Sequence, residues 1–190
     1  MASRGGSALE TRAASALEVD ALPGFDEMTA FDESAETIAE NAAGKAMYYS
    51  RGSAVLVMAD DSGLVVPALG GEPGVHSSRY AGPEGDAKKN IAKLLAAMKG
   101  KTEEERAARF VCVLAVARKG RVVAVFSGAV EGRILEAARG TGGFGYDPVF
   151  YYEPAGKTFA ELEATNKNRV SHRGRAFEKL AKYLRETEKR

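Results

Sequence analysis

This 190-residue chain has one cysteine, two histidines and almost no net charge. Each scarcity removes a class of function. The lone cysteine, Cys112, closes no internal disulfide, and inside the apolar run Phe110–Ala117 it reads as a buried thiol. Two histidines, His76 and His172, with no Cys/His cluster, argue against a zinc site. Twenty-seven Lys and Arg against 26 Asp and Glu leave +1, so nucleic acid is not expected as a partner. No 18-residue apolar span is present, which excludes a membrane helix and a membrane partner of that kind. Met1–Ser15 is rich in Ala, Ser and Gly with Arg4 and Arg12, as a transit peptide would be, but Glu10 counts against one, and a cytoplasmic location is the default.

What is present is ordinary globular composition, 45% apolar and 28% charged, enough for one core. Leu17–Leu22 alternates as a half-buried strand and closes at Pro23-Gly24. A helix is expected over Ser34–Tyr49 with Ser34 as N-cap, Ile38, Ala42, Met47 and Tyr49 packing, and Gly52 as the stop. The apolar run Ala54–Ala59 is a strand ending in Asp60-Asp61, with Ser62-Gly63 as a turn and Leu64–Val66 as a second short strand. Asp86–Met98 carries helical spacing to a stop at Gly100, and Thr102–Glu105 is a capping-box pattern. Phe110–Ala117 and Val122–Phe126 flank Lys119-Gly120 as a hairpin. Ile134-Leu135 and Val149–Tyr152 suggest further strands, and a last helix from about Ser171 buries Phe177, Leu180 and Leu184. The fold class expected is α/β, a mixed sheet with helices packed on it.

Four constellations carry chemistry. Asp60-Asp61 places two carboxylates at the end of a buried strand, where they are costly unless they hold a metal or act as acid or base. Neighbours on an extended strand point to opposite faces, so only one need line a site; a solvated turn is the bland alternative. Glu40 offers another oxygen ligand, and Asn41 and Lys45 share one helix face. Gly140–Pro148 interleaves four glycines with Phe144 and Tyr146, which suits a planar base stacked on rings and read by main-chain groups. Ser171-His172-Arg173 opens a helix, with Lys167 shortly before it, where anions and carbonyls find donors. Arg79 is a further possible phosphate contact or a surface ion pair. Neither a phosphate loop of the Gly-x-x-x-x-Gly-Lys-Ser type nor a nucleophile elbow is present.

The order of Glu40-Asn41-Ala42-x-x-Lys45-Ala46, Ala59-Asp60-Asp61-Ser62-Gly63-Leu64, Leu69-Gly70-Gly71-x-Pro73-Gly74, Ser78-Arg79-Tyr80, Gly140–Pro148 and Ser171-His172-Arg173 resembles the inosine triphosphate pyrophosphatase family over about residues 17 to 185. The resemblance implies a magnesium-dependent hydrolase that converts dITP, ITP and XTP to monophosphate and pyrophosphate. It also implies an elongated mixed sheet with two lobes around a cleft, usually a homodimer. On its terms Asp61 is the main acidic residue and, with Glu40, a magnesium ligand. Ser62 touches substrate; Phe144, Gly145, Tyr146 and Asp147 form the base pocket. Lys167, His172 and Arg173 hold the base edge or phosphates; Lys45 and Arg79 are candidate phosphate contacts beside them. Residues 17–190 then form one domain, and 1–16 are an atypical segment. The family's Ser/Thr-x-Asn-x-x-Lys phosphate motif finds Gly5 and Ala8 in place of its asparagine and lysine. Two expectations follow: weak turnover unless Lys45 or Arg79 substitutes, or, alternatively, nucleotide binding without turnover.

Overall fold

The computed structural model describes residues 19–187. Its frame is one sheet built around a hairpin. β2 (Ala107–Arg118) and β3 (Arg121–Ile134) pair through Lys119 and Gly120, both at positive φ, the turn whose twist matches paired strands. β1 (Val57–Val65) adds on the far side of β2, while β4 (Phe150–Tyr152) and β5 (Lys157–Thr158) extend the sheet beyond β3. All four pairings are antiparallel, so among the described residues the sheet is not mixed as the sequence suggested. The layering of helices on a sheet is as expected.

β2 is apolar at nearly every position from Phe110 to Ala117 because both its faces are covered. On one face Val113, Ala115 and Ala117 pack against Ala42 and Ala46 of α1 (Ile38–Tyr49). On the other, Cys112, Leu114 and Val116 pack against Ala176 and Leu180 of α4 (His172–Thr187). The thiol of Cys112 is buried, as its setting implied. A larger aromatic cluster holds Leu64, Phe110, Tyr146, Phe150 and Phe159 together with Leu94 of α2 (Ala87–Ala97). A short helix, α3 (Ala164–Val170), precedes α4.

Several local expectations are corrected. β1 does not stop at Asp60-Asp61; it runs straight through Ser62-Gly63, which pair with Cys112 and Val111, and includes Leu64-Val65. Gly63 is required there by approach, since a Cβ would overlap the carbonyl of Gly74 in the short 3-10 segment Gly74–Arg79. Val55 and Leu56 are exposed and precede the strand. α1 starts later than Ser34, with Thr37 as N-cap accepting from the amide of Glu40, while its end at Tyr49 is as expected. Met47 is exposed rather than packed. Val19–Leu22 is not a strand; Leu17 and Glu18 lie outside the described residues. α2 lies within the expected span Asp86–Met98, with Asp86 as its N-cap, and no described helix is long and apolar enough to cross a membrane.

Candidate active site

The two carboxylates of β1 part company as a pleated strand requires. Asp61 points to the α1 face, where Lys45 Nζ lies 3.2 Å from its Oδ1. Asp60 points to the α4 face, where Arg173 donates from Nε at 3.1 Å and Nη2 at 2.8 Å. Both border one cleft of about 480 Å³, lined also by Glu33, Ser62, Phe144, Tyr146 and Asp147.

On the Asp61 side, Lys45 also donates to Glu33 Oε1 at 2.9 Å. Glu33 sits on the loop before α1, which four contacts fix. Phe31 seats over Gly44, where a Cβ would strike its ring. The Phe31 amide donates to Tyr49, and the buried Asn41 side chain bonds both main-chain groups of Ala35. Arg79 donates to the Glu33 carbonyl at 2.8 Å. Arg79 therefore holds this loop and is not among the cleft-lining residues. Glu40 is also turned away: it is exposed, and its carboxylate accepts from Thr37 Oγ1 at 2.8 Å. The structure thus brings Glu33, not Glu40, to Lys45 and Asp61. Burial raises the Asp61 carboxyl above its ordinary range, and Lys45 offsets this only in part. Burial alone would lower the Lys45 ammonium, but Glu33 and Asp61 hold it raised.

Among the described residues no group of three or more His, Cys, Asp and Glu forms an all-protein metal cage. A magnesium-type ion does not require such a cage, since it is held by one or two carboxylates plus substrate phosphates and water. Asp61, incompletely compensated in a half-buried site, and Glu33 beside it fit such an ion.

On the Asp60 side the cleft continues into a hollow of about 330 Å³ between Phe144, Lys167, Ser171, His172, Arg173 and Phe177. Phe144 stands 61% exposed at its mouth, with Lys167 Nζ 4.2 Å from its ring centre and Arg173 Cζ 5.6 Å away. The loop is folded by Asp147, which is buried, accepts from the Phe144 amide at 2.7 Å and pairs with Lys167. Gly143 is essential to this fold: φ is +72°, and a Cβ would overlap the Asp147 carboxylate. Gly145 also takes a positive φ, +58°. Tyr146 is buried and donates to the Ser77 carbonyl; burial raises its phenol. His172 is 5% exposed and stacks on Phe110 at 4.8 Å and 14°. Burial, then Arg173 and Lys167, push its pKa down to about 4, so the ring is neutral at pH 7. Its Nδ1 and the Ser62 hydroxyl are buried without a hydrogen-bond partner by distance and angle among the described residues, so both can still bond a ligand or a water.

A family model described as the Ham1 family matches residues 7–183. The chain belongs to the Ham1 family. A dITP/XTP pyrophosphatase of Geobacillus kaustophilus is 53% identical over 164 residues, 86% of this chain and 80% of its own. One from Syntrophobacter fumaroxidans is 49% identical, covering 86% and 70%. Among solved structures, the Staphylococcus aureus Ham1 protein is similar with a TM-score of 0.79 at 39% identity, covering 84% of this chain and 82% of that one. A HAM1 protein from Coxiella burnetii scores 0.80 at 40% identity with the same coverage. The Ham1 assignment agrees with the resemblance read from motif order. Of the residues that order pointed to, Asp61, Ser62, Lys45, Phe144, Gly145, Tyr146, Asp147, Lys167, His172 and Arg173 converge on the two hollows; Glu40 and Arg79 do not line them. Gly5 and Ala8 lie outside the described residues. Sequence reasoning missed Glu33, whose loop shows no periodicity, and Phe110, read only as core.

Proposed function

We propose that this chain hydrolyses the triphosphates of non-standard purines, dITP, ITP and XTP, to the monophosphate and pyrophosphate. Magnesium is the divalent ion of this reading, Asp61 and Glu33 its protein ligands, and residues 17–190 the single catalytic domain. The protein works in the cytoplasm as a homodimer, on free nucleotides rather than nucleic acid. The observation that carries the reading is the joining of an acidic hollow to an aromatic, donor-lined one across a single strand, through Asp60 and Arg173. The relatives named for dITP and XTP support it.

In this reading the purine lies against Phe144, and its triphosphate runs over β1 to Asp61 and Lys45. The divalent ion, when bound, neutralises charge building on the phosphate oxygens. Asp61 takes a proton from the attacking water, for which a raised carboxyl is better suited than an ordinary one. A bond forms from that water oxygen to phosphorus as the bond to pyrophosphate breaks. Lys45 supplies a phosphate-side ammonium independently of Ala8, so turnover is expected despite the altered N-terminal motif.

Base selection falls to the other hollow. A 6-oxo group accepts from donors that His172, Arg173 and Lys167 can present. Adenine would set an amino group against them, at about 1–3 kcal/mol for each buried donor left unpaired. The test is pyrophosphate release from ITP and ATP, with and without magnesium. Strong preference for ITP and dependence on the ion are expected; equal rates on both nucleotides, or turnover unaffected by chelation, would refute the reading.

A further inference from the structure

α4 carries two of the base-side residues on its first turn, where Arg173 is tied to Asp60 and His172 stacks on Phe110. A second anchor lies on β3. Gly128 is buried on the face that α4 covers. A Cβ there would overlap the carbonyl oxygen of His172 and lie 2.6 Å from the Ala176 amide nitrogen and 3.0 Å from Arg175 Cβ. The helix backbone therefore rests directly on the strand at the residue that opens the helix. Gly132, two repeats further along the same face, meets different neighbours: Phe150 and Tyr151 of β4.

Two side chains complete the seat. β3 pairs with β4 only at Arg133 and Ile134, so the strand before them presents main-chain carbonyls without a strand partner among the described residues. Arg175 Nη1 donates to the Ala129 carbonyl at 2.8 Å, and Lys179 Nζ to the Ser127 carbonyl at 2.6 Å. These bonds bracket Gly128 from both sides. They are exposed, so their effect on stability is small. Their effect on direction is not, because they tie successive turns of α4 to fixed points of one strand.

We propose that Gly128, Arg175 and Lys179 are positioning residues for base selection, aiming His172 and Arg173 without touching substrate. This rests on the reading of the Phe144 hollow as the base site. A shift of the α4 start lifts His172 from Phe110 and moves Arg173 relative to Asp60, while Asp61, Lys45 and Glu33, on the other face of the sheet, stay in place. Loss should therefore fall on discrimination between bases rather than on phosphate chemistry.

The experiment compares wild type, Gly128→Ala, Gly132→Ala and the double variant Arg175→Ala/Lys179→Ala. KM and kcat are measured with ITP and ATP, and His172 is followed by imidazole NMR, which is clean because His76 is the only other histidine. For Gly128→Ala the ITP-over-ATP ratio of kcat/KM should fall about tenfold or more, since displacements near 1 Å cost on that order. The His172 resonances should lose the Phe110 ring shift while those of His76 stay put. The double surface variant should fold as wild type, raise KM for ITP several-fold and keep kcat. Gly132→Ala should lower stability without moving the ratio. If Gly128→Ala does not fold, the double variant decides alone. A ratio and His172 spectrum unchanged in the folded variants would overturn the proposal. A wild type without preference for ITP would instead refute the base-site reading itself.

Discussion

Tyr146 donates its buried hydroxyl to the carbonyl of Ser77 at 2.9 Å, joining the aromatic loop to a segment 69 positions earlier. The same carbonyl receives a longer contact from Asn90 Nδ2, and Ser77 Oγ accepts from the Leu64 amide in β1. Tyr146→Phe removes one bond and no ring. We expect a loss of about 0.5–1.5 kcal/mol in urea unfolding, the range for one hydrogen bond whose acceptor keeps a second donor in Asn90. An unchanged midpoint would show that water replaces the hydroxyl.

Asp61→Asn should lower turnover of ITP by about a hundredfold or more, the scale of a lost general base. The fold should not suffer. The folded-state pKa of Asp61 is raised, so between its unfolded and folded values the native state binds more protons than the unfolded one. Stability from this group therefore falls as pH rises through that window. At pH 7 the Asn variant should match or exceed wild type in thermal melts, with the difference vanishing in acid. A variant markedly less stable at neutral pH would contradict the burial argument.

Glu33→Gln and Glu40→Gln separate the two acidic candidates. Glu33 shares Lys45 with Asp61, whereas Glu40 accepts from Thr37, the N-cap of its own helix. The first change should raise the magnesium needed for half-maximal turnover by about tenfold or more, as loss of a metal-site partner does. The second should leave that requirement alone and cost only a little helix stability. The opposite pattern would restore Glu40 as the ligand.

Phe144→Ala should raise KM for ITP by about tenfold, since one base stacked on an aromatic ring contributes roughly 1–3 kcal/mol. The ring is largely exposed, so the melting temperature should hardly move. A large loss of stability with unchanged KM would assign Phe144 to packing instead.

His172, with a pKa near 4, should stay neutral from pH 8 to 5, and its imidazole shifts should be flat there. Its folded pKa lies below the unfolded value of about 6.5, so the unfolded state binds more protons between the two. Stability should fall as pH drops through that interval. An inflection near pH 6.5 at His172 would mean the ring is solvated.

Much of the frame was legible because it is local. The β2–β3 hairpin follows from two apolar runs around Lys119-Gly120, and α2 and α4 from spacing, caps and stops. The motif order also brought ten of the twelve nominated residues to the two hollows. β1 was misread because Asp60-Asp61-Ser62-Gly63 has the composition of a turn. Its main chain is instead taken up by Leu114, Val113, Cys112 and Val111 across the ladder, partners that no short window contains. Gly63 is there to admit the Gly74 carbonyl, not to bend the chain. Glu33 was invisible for a related reason: its place is set by Phe31 on Gly44 and by Asn41, Tyr49 and Arg79, all distant in the chain. Glu40 stands in a conspicuous motif, where its carboxylate accepts from the Thr37 hydroxyl at the helix start.

The split at Asp60 and Asp61 also has a consequence for how such a molecule can change. In the proposed reading, one peptide bond separates a residue wired to base choice from a residue wired to bond cleavage, and their side chains leave opposite faces of the strand. Substitutions on the α4 face are free to retune which nucleobase is accepted while the hydrolytic half is inherited intact. Insertion or deletion of a single residue in β1 allows no such freedom, because it exchanges the two allegiances at once.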